Sequence, residues 1–394
     1  MKQKNRQSTK LAASLMIIAL LIGYSTQMEF KGINFASLPL IETKYSSNYS
    51  KKSLEHLRST GANWVSIPVT YWVDTVRASE MKPVYARLRT LDRVIETPSD
   101  KDLVSVISHA KKLGLKVMLL PRIDLNARGY HDLTNLGEIY SPYQARRFFR
   151  YWIKNLVKLG ILAEKTGVEM LCVGHHLPYL AAYQKHWEEV IKDVKKVYNG
   201  KLTYSASHRQ EFKKAGFWKS LDYIGLIADF EIQIGDEATA EQKRRQQIEE
   251  LKRRASYLHR VWKKEVIITR AVSHAAVKID DYYKVLEVFH HTQNEIYRDL
   301  LEAIQGVGYI RGVFWGDWLA DTRFGGKKDA GPTPQFKEAE LVLREYYGGE
   351  KAVPEKTEEF EVYSSRSRQY CGYCNKLDHP IVNNNYEPTH GLGY

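Results

Sequence analysis

Five acids fall just past apolar runs of this chain: Asp124, Asp229, Glu231, Asp317 and Asp321. Two carboxyl groups held about 6.5–9.5 Å apart admit a water between them and split a glycosidic bond with inversion; at about 5 Å one of them becomes a nucleophile instead. Asp229 with Asp317 is the best-placed pair for the wider geometry. The competing reading makes these acids counter-charges to Arg122, Arg270 or Arg323, because a buried guanidinium requires one.

Two adjacent imidazoles, His175 and His176, raise the question of a metal. Neighbouring residues at a strand end point to opposite sides, so they do not share one ion. Asp124, Asp229 or His208 would have to complete a site around one of them, and neither a metal nor a cofactor is expected. Trp72, Trp315 and Trp318 also stand at or near the ends of apolar runs, where flat rings stack on sugar faces. Core packing is the alternative for them and the preferred reading for Trp64 and Trp152. Cys172 lies inside an apolar run and reads as a core residue. Cys371 and Cys374 form a CxxC with His379 five residues on. Without a second paired knuckle this reads as a local disulfide rather than a zinc or redox site.

These residues need elements to hold them. Apolar runs recur at 32–36, 63–69, 116–121, 168–174, 202–207, 223–228, 265–269 and 310–315, as suits strands buried on both faces. Helical periodicity fills gaps at 100–113, 142–166, around Trp187 to Val194, and at 238–264, 282–305 and 334–347. Eight strands, each followed by a helix, predict an α/β fold of the (β/α)8 barrel type over residues 31–347. A doubly wound sheet would need only about six strands and usually a Gly-rich first turn; the first strand has no such turn. Residues 70–98 and 122–140 read as insertions on the C-terminal face of the barrel, where ligand-binding loops belong. Residues 350–394 form a C-terminal extension, charged first and then rich in Tyr, Asn and Gly.

The chain has 394 residues and a formal charge of +13. Lys2, Lys4, Arg6 and Lys10 precede an apolar run from Leu11 to Tyr24, so residues 1–25 read as a secretory signal peptide or an uncleaved membrane anchor. The run is short for a span of about 20 apolar residues. Tyr24 stands where a lipid-modified cysteine would. Loss of residues 1–25, which hold four basic side chains and no acid, leaves +9. An exported basic protein meets anionic partners: an envelope protein assembly or a polysaccharide is expected, at the periplasm or cell surface, with no nucleic acid and membrane contact only through an uncleaved N-terminus. The helix at 238–264 carries Lys243, Arg244, Arg245, Lys252, Arg253, Arg254, Arg260, Lys263 and Lys264. It is read as a solvated face or as a docking surface for such a partner.

Several segments resemble glycoside hydrolase family 113, a barrel family that includes endo-β-mannanases. They are Gly61-Ala62-Asn63-Trp64-Val65-Ser66-Ile67, Gly114-Leu115-Lys116-Val117-Met118-Leu119, Leu202-Thr203-Tyr204-Ser205-Ala206, Leu221-Asp222-Tyr223-Ile224-Gly225 and Gly312-Val313-Phe314-Trp315-Gly316-Asp317-Trp318. The resemblance implies that the acid/base Glu of a Gly-Thr-Glu-Leu pattern is replaced by His176 in Gly174-His175-His176-Leu177. It implies likewise that the nucleophile of a Thr-Glu-Ile-Gly-Tyr pattern is replaced by Arg270 in Thr269-Arg270-Ala271-Val272-Ser273. An arginine stays protonated and cannot attack a sugar carbon, and its charge opposes a developing oxocarbenium ion. The expectation is a pseudoglycosidase acting as a binding or structural component of an extracytoplasmic assembly. Two alternatives stay open. One is an active β-glycan hydrolase with relocated carboxylates; the other is a glycan binder using the old cleft through Trp72, Asp124, His175, Trp315 and Trp318.

Overall fold

A computed structural model describes residues 28–37, 44–85, 88–89, 94–125, 135–207, 210–230, 237–273, 276–279, 285–329 and 331–357. Eight parallel strands close into a barrel in which each strand lies beside its sequence neighbours and β1 meets β8. They are β1 Phe30–Ala36, β2 Trp64–Val73, β3 Lys116–Leu125, β4 Met170–His175, β5 Lys201–Ala206, β6 Tyr223–Phe230, β7 Val266–Ser273 and β8 Ile310–Leu319. The helices that follow them in turn are α1 Asn48–Ser59, α2 Asp100–Lys112, α3 Pro142–Thr166, α4 Gln184–Lys195, α5 Glu211–Lys214, α6 Glu237–Trp262, α7 His290–Ile304 and α8 Glu338–Tyr347. The predicted (β/α)8 architecture is therefore the observed one.

Local chemistry sets the helix ends. Ser141 caps α3, its hydroxyl accepting from the Gln144 amide while the Gln144 side chain accepts from the Ser141 amide, and Pro142 opens the first turn. Gly167 closes the helix in the left-handed conformation that favours glycine. Ser99 caps α2 through its hydroxyl alone, which accepts from the Asp102 amide and donates to the Asp102 carboxylate.

Six strands, β2, β3, β4, β6, β7 and β8, run past their apolar cores. The register of β2 on β3 continues unbroken from Thr70 opposite Arg122 to Val73 opposite Leu125. The opening residues of both expected insertions are thus a two-strand extension of the barrel wall. Trp72 then exchanges backbone hydrogen bonds with Lys82, which fastens the following segment to that wall. The helix expected over 282–305 begins only at His290. Val285–Phe289 instead pairs antiparallel with Ala276–Ile279, as the run of β-branched and aromatic residues favours. The last helix begins at Glu338, after Pro334.

Phe30, Trp64, Met118, Met170, Ile267 and Phe314 fill the barrel floor. Above them comes a buried polar layer. Asn34 donates to the Thr269 and Phe314 carbonyls, and the Ser205 and Thr269 hydroxyls meet at 2.5 Å. This layer sits directly beneath the mouth. Among the described residues no helix is long and apolar enough to cross a membrane. Residues 1–25 and Cys371, Cys374 and His379 lie outside the described residues.

Candidate functional site

Arg270 projects from β7 and is 4% exposed. Its Nη1 donates to Asp229 Oδ1 at 3.3 Å and its Nη2 to Asp317 Oδ2 at 3.4 Å. Asp229 belongs to β6 and Asp317 to β8, the two strands that flank β7. One guanidinium therefore spans three consecutive strands at their C-terminal ends. The Asp317 side chain is 12% exposed and that of Asp229 is 37% exposed. The two acids expected to form a hydrolytic pair share one cation.

His175 closes β4. Its Nδ1 lies 3.1 Å from the Ser205 hydroxyl, which continues to Thr269, the residue before Arg270. Burial, and then the charges of Arg270, His176 and Arg122, hold this imidazole well below its ordinary value. It is a neutral ring at physiological pH. His176 follows with a left-handed backbone, φ 52°, its amide donating to the Ser205 carbonyl at 3.0 Å.

The turn carrying His176 is held from behind by Glu211. This fully buried carboxylate accepts from the Leu177 amide at 2.8 Å, from the Ser207 amide at 2.7 Å and from the Tyr204 hydroxyl. Burial and then Glu211 raise the Tyr204 phenol well above its usual value, so it stays a donor. Strand-end reasoning misses Glu211, which lies five residues past β5 at the start of α5.

Across the mouth, Arg122 on β3 is half-buried and its Nε donates to Thr70 Oγ1 on β2 at 2.9 Å. Asp124, two residues on, accepts from the Leu125 amide at 2.7 Å. Asp321 is apart from this group: it is fully buried and grips Arg323, whose guanidinium stacks on Tyr49 3.8 Å from the ring centroid. His208 and Glu231 lie outside the described residues. Among the described residues no cluster of three His, Cys, Asp or Glu side chains could hold a metal.

The three tryptophans considered for sugar stacking are placed in the core. Trp315 and Trp318 are each 0% exposed. Trp315 lies flat against Tyr297 of α7, with ring centroids 3.7 Å apart, and Trp318 donates from Nε1 to Ser53 of α1. Between Trp315 and Trp318 the pairing of β8 with β1 shifts register by one residue, so both indoles, three residues apart, face outward to the helix layer. Trp72 is buried as well. In this conformation neither Trp315 nor Trp318 offers an open ring face to a ligand.

The sequence profile of glycoside hydrolase family 113 matches residues 38–335. This chain belongs to glycoside hydrolase family 113. A family 113 β-1,4-mannanase, solved as a complex, aligns with TM-score 0.65 and 22% identity over 82% of this chain and 100% of that one. The family β-mannanase from Alicyclobacillus acidocaldarius aligns with TM-score 0.65 and 18% identity, over 81% and 97% of the two chains. A Ruminococcus gnavus β-glucuronidase shares the fold more loosely, with TM-score 0.55 and 11% identity over 81% of this chain and 50% of that one. No curated protein matches the sequence. At these identities the solved structures establish a shared barrel for this family 113 chain.

Proposed function

We propose that this family 113 barrel is a pseudoglycosidase, a non-catalytic binding or structural component of an extracytoplasmic envelope assembly. The observation that carries the reading is the Arg270 bridge. The residue matched to the family's nucleophile is a permanent cation, and it engages Asp229 and Asp317, the two acids best placed to replace the lost pair. His176, matched to the acid/base, supplies at most one proton donor, and a donor without a nucleophile or base does not make a glycosidase. The basic N-terminal segment with its apolar run supports export, and the positive charge supports an anionic partner in the envelope.

Reducing-sugar assays of the purified chain on β-mannan and other β-glycans test this. No release above the background of the Asp229→Asn/Asp317→Asn double variant is expected. Robust turnover by the unmodified chain would overturn the proposal. A second reading, hydrolysis by relocated carboxylates, is favoured by one feature: Asp229 and Asp317 approach each other from flanking strands. It requires turnover that either single Asn substitution abolishes.

A further inference from the structure

We propose that the mouth of the barrel binds a carboxylate-bearing sugar chain, a polyuronate, with the Arg122 guanidinium as its anchor. The inference deepens the pseudoglycosidase reading by naming the ligand class.

The charges at the mouth lead to it. Asp229 and Asp317 are engaged by Arg270, and Asp124, two residues past Arg122, accepts from the Leu125 amide. Arg122 has no carboxylate within ion-pair reach among the described residues; its described hydrogen bond, through Nε, goes to the neutral Thr70 hydroxyl. That bond orients the guanidinium, and among the described residues no side chain or carbonyl accepts from Nη1 or Nη2. Such a planar pair of donors matches a carboxylate with two parallel hydrogen bonds. A half-buried guanidinium without a counter-charge loses solvation that an incoming anion restores.

The neighbours of Arg122 favour an anion as well. β3 lies beside β4, which ends in His175, and His176 follows directly. Arg122 on β3, His175 on β4, His176 just beyond it and Arg270 on β7 all stand toward the C-terminal ends of their strands, the face on which the barrel opens. His176 is half-buried, and its turn is fixed by Glu211. Its imidazole stands just past the end of the strand next to that of Arg122 and offers a hydrogen-bonding group to sugar hydroxyls. A sugar acid meets both needs, with its carboxylate on Arg122 and its hydroxyls on the imidazoles. A neutral mannan would leave the fork unanswered.

Calorimetric titration of the full chain with a hexameric uronate, a neutral hexameric mannan fragment and inorganic phosphate tests the inference. The uronate is expected to bind more tightly than the neutral oligomer. Arg122→Gln is expected to weaken uronate binding by about tenfold or more and to leave any neutral binding unchanged. Arg122→Lys should restore part of the loss, since it returns the charge without the fork. Unchanged uronate affinity in folded Arg122→Gln overturns the proposal. So does equal affinity for the neutral oligomer, or for phosphate alone. Cleavage of the bound uronate would sink the non-catalytic reading and leave the anchor standing, whereas preference for neutral chains without cleavage would do the reverse.

Discussion

The two partners of Arg270 are distinguished by removing them one at a time. With Arg270 kept, Asp317→Ala takes a nearly buried acid from a buried cation, and a loss on the order of 3 kcal/mol is expected in chemical denaturation. Asp229→Ala should cost less than about 1 kcal/mol, because that carboxylate is more than a third exposed. Equal losses would show that the bridge is not the asymmetric contact described. His175 yields a pH prediction. Its folded value is depressed, so its contribution to stability is complete above the unfolded value of about 6.5 and is lost as pH falls toward the folded value. Melting temperatures should therefore fall on acidification below neutrality, and His175→Gln should flatten that part of the profile. Trp315→Ala is expected to cost about 3–5 kcal/mol through cavity formation without changing affinity for any glycan; a selective affinity loss in a stable variant would put the indole back in the cleft. Cys172, whose thiol burial pushes up to about 12, should resist thiol reagents in the native state.

At the scale of the element, the strand cores were legible because both faces of a barrel strand are buried and the apolar run shows it. Their C-terminal ends were not. Thr70, Arg122 and Asp124 interrupt the runs because they line a polar mouth, so unbroken ladder looked like inserted loop. The positions of Arg270, His175 and His176 at strand ends were legible from the same runs. The burial of Trp315 and Trp318 was hidden by the irregular register of β8, which no alternation pattern reveals. Glu211 was hidden too, since its role comes from amides of two different loops. Glu211→Ala should loosen both, seen as faster amide exchange at Leu177 and Ser207, while the global fold persists; unchanged exchange at either amide would refute the clip. The basic helix α6 is largely answered by acids. Arg245 pairs with Glu241, Lys252 with Glu249, Arg253 and Arg254 with Glu250, and Arg244 with Glu295 and Asp299. Arg244 is buried against α7, and the remaining pairs support the reading of a solvated face. Ile248, Leu251 and Leu258 form its buried side, and Val261 is exposed.

For the whole molecule, pairing of β1 with β8 closes the barrel, and α8 meets α1 outside that seam. Glu340, fully buried, accepts from Arg344 at 2.7 and 2.9 Å and lies 2.7 Å from His56 Nε2. Arg344 reaches on to Ser59, and Lys31 donates to the Tyr347 carbonyl. Glu340→Ala would strand a buried guanidinium beside the β1–β8 seam. A loss of about 3–5 kcal/mol is expected, read as a drop in the unfolding midpoint; a loss below about 1 kcal/mol would show that the seam does not depend on it.

The Arg270 bridge has an electrostatic consequence. A glutamate at 270 would stand between two aspartates with the cation that joins them gone, three like charges in one crevice. One of the three would hold its proton near neutral pH. The flanking acids thus select the sign of the side chain between them: position 270 tolerates a cation far more readily than an acid.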